Sequence, residues 1–321
     1  MTRVLLITNT TDFTTDYVVR SLKLLCADFY RLNTDEIGSK VFLSFDFVHD
    51  EYILWDKPKK QIFDILSFTS VYFRRPVPPT VEEEDISADE KQFISIETRQ
   101  TLEGLYKILR DVYWISDIDA IRKAENKIYQ QLVAKEVGFK TPDSLITNFP
   151  KVFTSFVQNH TDCVVKSIYS GQIGWPEMNR VVFTSKLNRS HTAKQIELCP
   201  TYLQEQIKKK FDVRVTVVGE EIFAARIDSQ SNQETLVDWR VGENNLPHTT
   251  VILPDNLCKQ CIELLRRLDL RFGAIDFIET LKGEYVFLEI NPNGQWAWIE
   301  TQTGMPIADA IAKQLISKYV S

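Results

Sequence analysis

The chain of 321 residues has few cysteines and histidines and contains no long apolar run. Its five cysteines are scattered and odd in number, which argues against a disulfide framework. No uninterrupted apolar stretch approaches the roughly 18 to 20 residues that a membrane span requires. The amino terminus lacks the long apolar segment and the small-residue cleavage site of a secretory signal peptide. We therefore expect a cytoplasmic protein without membrane spans.

Basic residues are also not in excess, since the net charge is -6 at pH 7, and this gives no electrostatic footprint for nucleic acid. Cys258 and Cys261 form a Cys-x-x-Cys pattern, but no second pair and no nearby histidine accompany it. Reduced structural thiols are therefore favoured over zinc ligands or a redox pair. With 44% hydrophobic and 26% charged residues, the composition is that of an ordinary globular protein.

Strand and helix patterns alternate along the chain and predict a mixed α/β (α+β) fold in three parts. These are an amino-terminal α/β domain over residues 1–117, a central domain over 118–206 and a carboxyl-terminal domain over 207–321. The central domain is expected to contain one helix over residues 119–137 that ends at Gly138. Strands of the last two domains are predicted at residues 144–147, 163–168, 181–185, 213–218, 221–228 and 235–239.

The closing block is the most informative segment, because residues 273–278 and 285–294 flank a turn at Lys282-Gly283 and predict a β-hairpin. Strand side chains alternate between faces, so Asp276, Glu289 and Asn291 can converge on one spot. These oxygen ligands suit magnesium bound with a nucleoside triphosphate. The alternative is a surface hairpin with solvated acids. A metal site is favoured because the acids interrupt an apolar run, and buried carboxylates are rare unless paired or metal-bound.

Two lysines are placed to hold phosphates opposite this hairpin. Lys127 lies on the predicted helix of the central domain, and Lys166 follows the apolar strand residues 163–165. A lysine at the end of a buried strand is costly unless its ammonium reaches an anion. The glycines of residues 167–174 suit a lid whose amides approach phosphate, although they would equally suit an ordinary turn.

Residues 202–207 resemble a hinge strand between domains. Its backbone, including that of Gln204 and Ile207, could pair with an adenine edge, and Glu205 could bind ribose hydroxyls. A surface strand would have a similar sequence.

Asp212 and Arg214 share one face of a predicted strand, opposite a face of valines. Such an arginine can bind a transferring phosphoryl group, and the carboxylate can orient it or accept a proton. Arg226 on the next strand is expected to supply a second guanidinium. The alternative for the Asp212 and Arg214 pair is a surface ion pair of little energetic value.

The order of these features resembles the ATP-grasp superfamily of carboxylate-amine ligases, from about residue 118 to the end. Several further segments resemble one branch, the microviridin-type (graspetide) peptide cyclases. These segments are Tyr72-Phe73-Arg74-Arg75-Pro76, residues 181–185, Val237-Asp238-Trp239-Arg240 and residues 289–296. The residue after the paired arginines and the Asn293-Gly294-Gln295 sequence differ from those of many members.

The resemblance implies an ATP-grasp fold that clasps ATP and magnesium, and a ribosomal precursor peptide as partner. An Asp or Glu side chain of the peptide would be activated as an acyl phosphate and joined to a Ser or Thr hydroxyl or a Lys amine. Arg74, Arg75, Trp239 and Arg240 would contact this peptide, and residues 181–190 would dock its leader. Interdomain ion pairing is the alternative for Arg74 and Arg75. A homodimer is plausible by the same resemblance.

Two other functions remain open from the sequence. A ligase for a free amino acid or small metabolite would share the nucleotide site, although the segments at residues 74–75 and 239–240 favour a peptide cyclase. A non-catalytic ATP-binding regulatory protein could keep the fold. The complete set of acids and lysines argues against this last reading.

Overall fold

The computed structural model describes residues 3–80, 85–169, 172–173, 180–188, 193–241 and 246–317. Within them the helices are α1 (Phe13–Leu24), α2 (Ala88–Ile108), α3 (Ile118–Ala124), α4 (Lys127–Val137), α5 (Pro150–Asn159), α6 (Asp255–Arg267), α7 (Ala297–Thr303) and α8 (Ile307–Ser317). The strands of the amino-terminal part are β1 (Arg3–Thr8), β2 (Asp28–Asn33), β3 (Val41–Asp46), β4 (Glu51–Asp56), β5 (Gln61–Asp64), β6 (Ser70–Phe73) and β7 (Tyr113–Ile115). Those that follow are β8 (Ser144–Thr147), β9 (Cys163–Lys166), β10 (Gln172–Ile173), β11 (Arg180–Val181), β12 (Ser185–Lys186), β13 (Thr201–Glu205), β14 (Lys209–Val218), β15 (Glu221–Ile227), β16 (His248–Thr250), β17 (Phe272–Thr280) and β18 (Tyr285–Asn291). The predicted α/β class is confirmed.

A parallel sheet with strand order β2-β1-β6-β7 organises the amino-terminal part. Leu5 and Ile7 of β1 pack in one apolar cluster with α2, whereas Val4 and Leu6 pack in another with α1 and α8. Helices therefore cover both faces of the sheet, which explains why β1 reads as a continuous apolar run. A separate antiparallel sheet, β3-β4-β5, contributes Leu54 to the first cluster.

The central part is an antiparallel sheet of order β12-β9-β13-β8. Phe153 of α5, Ile196 and Leu203 of β13 form its small core. Strands β9 and β13 pair directly, with Lys166 opposite Tyr202. Because the pairing is antiparallel, the end of β9 lies beside the start of β13, and Cys163 at the start of β9 is opposite Glu205 at the end of β13.

The third sheet is antiparallel, with order β16-β15-β14-β17-β18. Val213, Val215 and Phe277 lie on one face, in the cluster that also contains residues of α4 and α6. We call this the helix face, and the opposite one the cleft face. Beyond β18, helix α8 returns to the amino-terminal sheet, where Ser21 Oγ donates to Asp309 Oδ1 at 2.6 Å.

Several predicted elements are corrected. The single helix over residues 119–137 is two helices, because Asn126 caps α4 by accepting hydrogen bonds from the amides of Ile128 and Tyr129. The strand over residues 235–239 is absent, since Gln233–Thr235 forms a 3-10 turn and irregular backbone follows it. The strand over residues 181–185 is present only at its two ends, in β11 and β12.

Two of the predicted functional segments extend beyond the described residues. Ser170, Gly171 and Gly174 of the predicted phosphate loop, and residues 189–190 of the predicted leader-docking surface, lie outside the described residues. Among the described helices, none combines the length and apolar character needed to cross a bilayer.

Candidate active site

A cleft separates the central sheet from the cleft face of the five-stranded sheet. Val164, Lys166 and residues 204–207 form one wall, and Asp276, Ile278, Leu288 and Glu289 form the other. An adjoining side cleft shares Glu289 and Arg240 with it and is also lined by Lys127, Ser167 and Asn291. Glu289 therefore lies where the two clefts meet.

The hairpin acids form a cross-strand pair. Asp276 of β17 is directly opposite Glu289 of β18, and Asn291 is opposite Ala274 two positions along. A β-bulge next to this pair shifts the register by one residue and so brings the two acids opposite each other. Directly opposed residues are neighbours on one face of an antiparallel pair, so all three predicted metal ligands face the same side. The acid side chains are 14% and 15% exposed, and Asn291 is exposed.

Cations surround Glu289. Lys127 Nζ lies 3.0 Å from Glu289 Oε2 and donates to the Ser167 carbonyl oxygen at 3.0 Å. Arg240 Nη1 lies 4.0 Å from Glu289 Oε1. Burial opposes ionisation of Glu289, but the positive charges of Lys127, Lys166 and Arg240 lower its pKa. Lys127 and Lys166 together place more positive charge here than Glu289 neutralises, which suits an anionic ligand.

The second acid is less well compensated. Arg214 Nη1 lies 3.3 Å from Asp276 Oδ2. Burial raises the pKa of Asp276 despite this arginine, and the neighbouring charge of Glu289 acts in the same direction. Burial also lowers the pKa of Lys166. Groups whose charged forms are disfavoured and which face a cleft are typical of functional sites.

Arg240 is held in place by Asp238, a residue that the sequence reasoning did not select. Arg240 Nε and Nη2 donate to the two carboxylate oxygens of Asp238 at 2.8 and 2.7 Å. Although burial opposes ionisation, Arg240 and the amide of Thr184 help to lower the pKa of Asp238 to about 2. The bidentate pair fixes a guanidinium at the rim of both clefts. Trp239 stands between Asp238 and Arg240 in the sequence, and its ring centroid lies 5.6 Å from Arg214 Cζ.

Asp212 is buried, but it is not paired with Arg214. Lys209 Nζ lies 2.6 Å from Asp212 Oδ2, and Ser229 Oγ donates to the same carboxylate. Burial raises the pKa of Asp212. The alternative of a surface ion pair between Asp212 and Arg214 does not apply, because Asp212 is anchored to Lys209 inside the protein. The predicted catalytic role of Asp212 stays a prediction.

Arg226 lies on the helix face and not in the cleft. It is opposite Val213 in the register of β14 and β15, so the two side chains share a face. Its Nε and Nη2 donate to the two oxygens of Glu279 at 2.5 and 3.1 Å, and its guanidinium lies 5.4 Å from the ring centroid of Phe211. The expectation that Arg226 supplies a second guanidinium to the site is corrected.

Arg74 is a structural contact between two parts of the chain. It is 1% exposed, and its Nη1 donates to the carbonyl oxygen of Asn293, to Asn293 Oδ1 at 2.9 Å and to the Gly294 carbonyl oxygen at 3.2 Å. Its expected role as a substrate contact is corrected. The interdomain alternative applies, but through carbonyl groups and not through an ion pair. Arg75 is exposed, and its predicted contact with substrate stays a prediction.

The hinge residues line the cleft. Gln204 is 1% exposed and its side-chain amide donates to Ser144 Oγ at 2.9 Å, so its side chain is committed to the neighbouring strand. Glu205 and Ile207 form part of the wall. The cleft thus has an apolar end at Ile207, Ile278 and Leu288 and a charged end at the acids and lysines. This arrangement suits a nucleotide, with its base at the apolar end and its phosphates among the cations.

Comparisons with known proteins identify related domains along the chain. Residues 3–122 match the model of the MvdD pre-ATP grasp domain, and residues 124–315 match that of the RimK-like ATP-grasp domain. No curated protein sequence matched the chain.

Three similar solved structures cover nearly the whole chain. A RiPP-associated ATP-grasp ligase from Chryseobacterium gregarium, solved with ADP and a leader and core peptide, is 28% identical, with a TM-score of 0.89 over 99% of this chain and 97% of that one. The macrocyclase MdnC from Microcystis aeruginosa, bound with precursor peptide MdnA, is 26% identical, with a TM-score of 0.84 over 99% and 100%. The macrocyclase MdnB from the same organism is 30% identical, with a TM-score of 0.79 over 98% and 99%. The predicted ATP-grasp fold is confirmed.

Proposed function

The chain belongs to the RimK-like ATP-grasp family, and we propose that it is an ATP-dependent macrocyclase of a ribosomally made precursor peptide. ATP transfers its terminal phosphoryl group to an Asp or Glu side chain of the peptide, which gives an acyl phosphate and ADP. A Ser or Thr hydroxyl, or a Lys amine, of the same peptide then attacks the acyl carbon, and inorganic phosphate leaves. The product is a ring closed by an ester or an amide. We place this reaction in the cytoplasm.

The observation that carries the proposal is the full-length likeness to ligases whose structures contain precursor peptides. A nucleotide site alone would fit a metabolite ligase equally well. The match to the MvdD pre-ATP grasp domain, however, extends the likeness to residues 3–122, outside the nucleotide cleft. The metabolite enzyme D-cycloserine synthetase DcsG is 12% identical and shares the fold alone. These differences support a peptide substrate.

The donor set in the cleft fits magnesium. Asp276 and Glu289 are like charges side by side on neighbouring strands, and Asn291 adds an amide oxygen on the same face. Oxygen ligands of this kind, completed by water and phosphate, are those that magnesium takes. A bound magnesium ion would supply neutralisation of phosphate charge. Asp276, Glu289 and Asn291 would hold this ion, and Lys127 and Arg214, which lie beside the two carboxylates, would be near enough to bind phosphate oxygens.

The protein residues act by positioning and by charge. Lys127 and Lys166 hold the phosphates, while Glu205 and Ile207 line the pocket of the adenosine. Arg214 and Arg240 stabilise negative charge on the acyl phosphate. Asp212 keeps Lys209 in place. Arg75, which is exposed, engages acidic side chains of the peptide.

The test is the intact mass of a peptide after incubation with this protein, ATP and magnesium. The probe is the peptide of a short reading frame beside the gene of this chain, selected for a composition rich in Thr, Ser, Asp and Glu. We expect one water to be lost per ring, with one ADP formed for each. The variant Glu289→Gln should give no loss, whereas Glu279→Gln, a matched change on the helix face, should retain it. ATP turnover with a free amino acid and no change in peptide mass would replace the proposal with a metabolite ligase.

A further inference from the structure

The guanidinium of Arg214 has few polar partners for a buried charge. Its side chain is 6% exposed, its Nη1 contacts Asp276 Oδ2 at 3.3 Å, and its contact with the Ala274 carbonyl oxygen is long, at 3.5 Å. Its Nε is buried and finds no hydrogen-bond acceptor among the described residues. Buried polar groups are normally hydrogen-bonded. Hydrogen bonds alone therefore do not fix the orientation of this guanidinium.

Two indole rings lie against it instead. The Cζ atom of Arg214 is 5.6 Å from the ring centroid of Trp239 and 5.9 Å from that of Trp298. The two indoles are 5.0 Å apart and tilted by 36°. Attraction between a guanidinium and the face of an indole contributes about 2 kcal/mol when both are desolvated. Because the N–H donors of arginine lie in the guanidinium plane, contacts that fix this plane also fix where the donors point.

Trp298 is itself held rigidly. It is the second residue of α7, and the preceding Trp296 is fully buried and donates from Nε1 to Tyr72 Oη at 3.2 Å. On its other side, the ring of His248 from β16 lies 5.1 Å away in an edge-to-face arrangement. The start of α7 and the edge strand β16 therefore set the position of the indole.

From this geometry we propose that Trp298 is a positioning residue: with Trp239 it forms an aromatic bracket, a pair of indoles against one side of the Arg214 guanidinium, that orients Arg214 towards the acyl phosphate. The inference rests on the proposed function for its chemical role. Trp298 does not touch the reacting atoms and acts through Arg214. The bracket accepts a planar cation, so a lysine at position 214 would keep the charge and lose the orientation.

The first experiment compares Trp298→Leu, Trp298→Phe and a control, Trp55→Leu, which removes an indole from the distant β3-β4-β5 sheet. Misplacement of a catalytic group by about 1 Å costs about 100-fold in rate. We expect Trp298→Leu to lower kcat for ring formation by about 10- to 100-fold, with the KM for ATP and the affinity for ADP changed by less than about twofold. Trp298→Phe keeps an aromatic face and should restore most of the rate, and Trp55→Leu should leave the rate unchanged. A wild-type kcat in Trp298→Leu, or equal losses of kcat and ADP affinity, would overturn the inference.

A double-mutant cycle tests whether Trp298 acts through Arg214. If it does, Arg214→Lys with Trp298→Leu should be no slower than Arg214→Lys alone. Multiplicative losses would contradict the inference.

A readout without catalysis separates this inference from the proposed function. The NMR resonance of Arg214 Nε–H, assigned by its loss in Arg214→Lys, should be shifted by the ring currents of the two indoles. In Trp298→Leu it should move towards the position of an exposed arginine. An unchanged resonance would refute the bracket even if the protein proved to be a macrocyclase, and a shifted resonance would support the bracket even if no peptide were cyclised.

Discussion

Arg214 and Arg226 lie on adjacent strands of one sheet, and each faces an acidic side chain. On the helix face, Arg226 forms a bidentate pair with Glu279. On the cleft face, Arg214 reaches Asp276 through one long contact and keeps a buried Nε without an acceptor. An arginine and a carboxylate thus form a fully hydrogen-bonded pair on one face and a poorly hydrogen-bonded pair on the other.

The difference shows which pair is available for chemistry. The pair of Arg226 and Glu279 lies on the helix face, outside the cleft, and its donors and acceptors are already used within the pair. The cleft face instead holds Asp276 with a raised pKa and faces Lys166 with a lowered pKa, and burial is the main cause of both shifts. Charges that are costly in the empty cleft become favourable when phosphates and a metal compensate them.

The largest effect is expected from the cleft acids. Asp276→Asn and Glu289→Gln each remove a carboxylate that would hold a metal. Because charge stabilisation by such a metal is worth several kcal/mol, the rate of ring formation should fall by more than about 100-fold. Initial rates of ADP release with the peptide measure this. Glu279→Gln on the helix face is the control and should retain most of the wild-type rate, since its side chain faces away from the cleft. Equal losses on the two faces would remove the functional distinction between them.

Part of this distinction could be predicted from the sequence. Alternation of strand side chains predicts that Glu289 and Asn291 share a face. Their convergence with Asp276 also requires the bulge, because an unbroken register would continue from Phe277 opposite Phe287 to Asp276 opposite Leu288 and put Glu289 on the other face. The position of Arg226 could also have been derived. The two-residue turn Gly219-Glu220 pairs Val218 with Glu221. Counted residue by residue away from the turn, the same register pairs Arg226 with Val213, so Arg226 lies on the face of the valines.

Other features depend on tertiary contacts that no local pattern contains. The Asp238 and Arg240 pair belongs to an irregular segment whose alternating sequence, over residues 235–239, predicts a strand. Burial of Arg74 depends on carbonyl groups of Asn293 and Gly294, more than 200 residues away in sequence. The contact of the Trp298 indole with the Arg214 guanidinium requires α7 to pack near β14. Sequence spacing cannot reveal such contacts.

A second prediction concerns Lys166, which faces the cleft. Since burial lowers its pKa, the ionised lysine is disfavoured in the folded, empty protein. Lys166→Met should therefore raise the melting temperature of the protein without nucleotide while weakening ATP binding by about tenfold, as loss of one charged contact of about 1.4 kcal/mol implies. Calorimetric unfolding and titration with ATP measure the two effects. A lower melting temperature would show that the lysine is already compensated.

The matched prediction on the helix face has the opposite sign. Glu279→Gln leaves Arg226, whose side chain is 33% exposed, without its carboxylate partner. Loss of a partly buried charged hydrogen bond costs about 1 to 2 kcal/mol, so urea unfolding should show a lower stability of this size. Affinity for ATP should not change, because the pair lies away from the cleft. Restoration of stability by Arg226→Met in the Glu279→Gln background would confirm that the unpaired cation is the cause.

The smallest effects are expected from two histidines that extend the contrast between satisfied and unsatisfied groups beyond the sheet. His160 Nδ1 faces the Phe156 carbonyl oxygen at 2.9 Å and its Nε2 faces Asp143 Oδ2 at 3.1 Å. Both partners are acceptors, so the imidazolium is favoured, and the carbonyl of Phe156 followed by Asp143 raises the pKa of His160 above 6.5. Burial beside Trp298 lowers the pKa of His248 below 6.5.

The signs of their effects on stability are therefore opposite. The contribution of His160 is complete below the unfolded pKa of about 6.5 and is lost as pH rises through its higher folded pKa. At low pH, protonation of the buried His248 lowers the free energy of unfolding. This loss disappears as the pH rises from the lowered folded pKa of His248 to its unfolded pKa. Proton NMR titration of the ring protons, assigned with His160→Gln and His248→Gln, should place the two midpoints on opposite sides of 6.5. Coincident midpoints would contradict both assignments. They would mean that Asp143, whose side chain is 74% exposed, is too well solvated to stabilise the imidazolium of His160, and that water reaches the ring of His248.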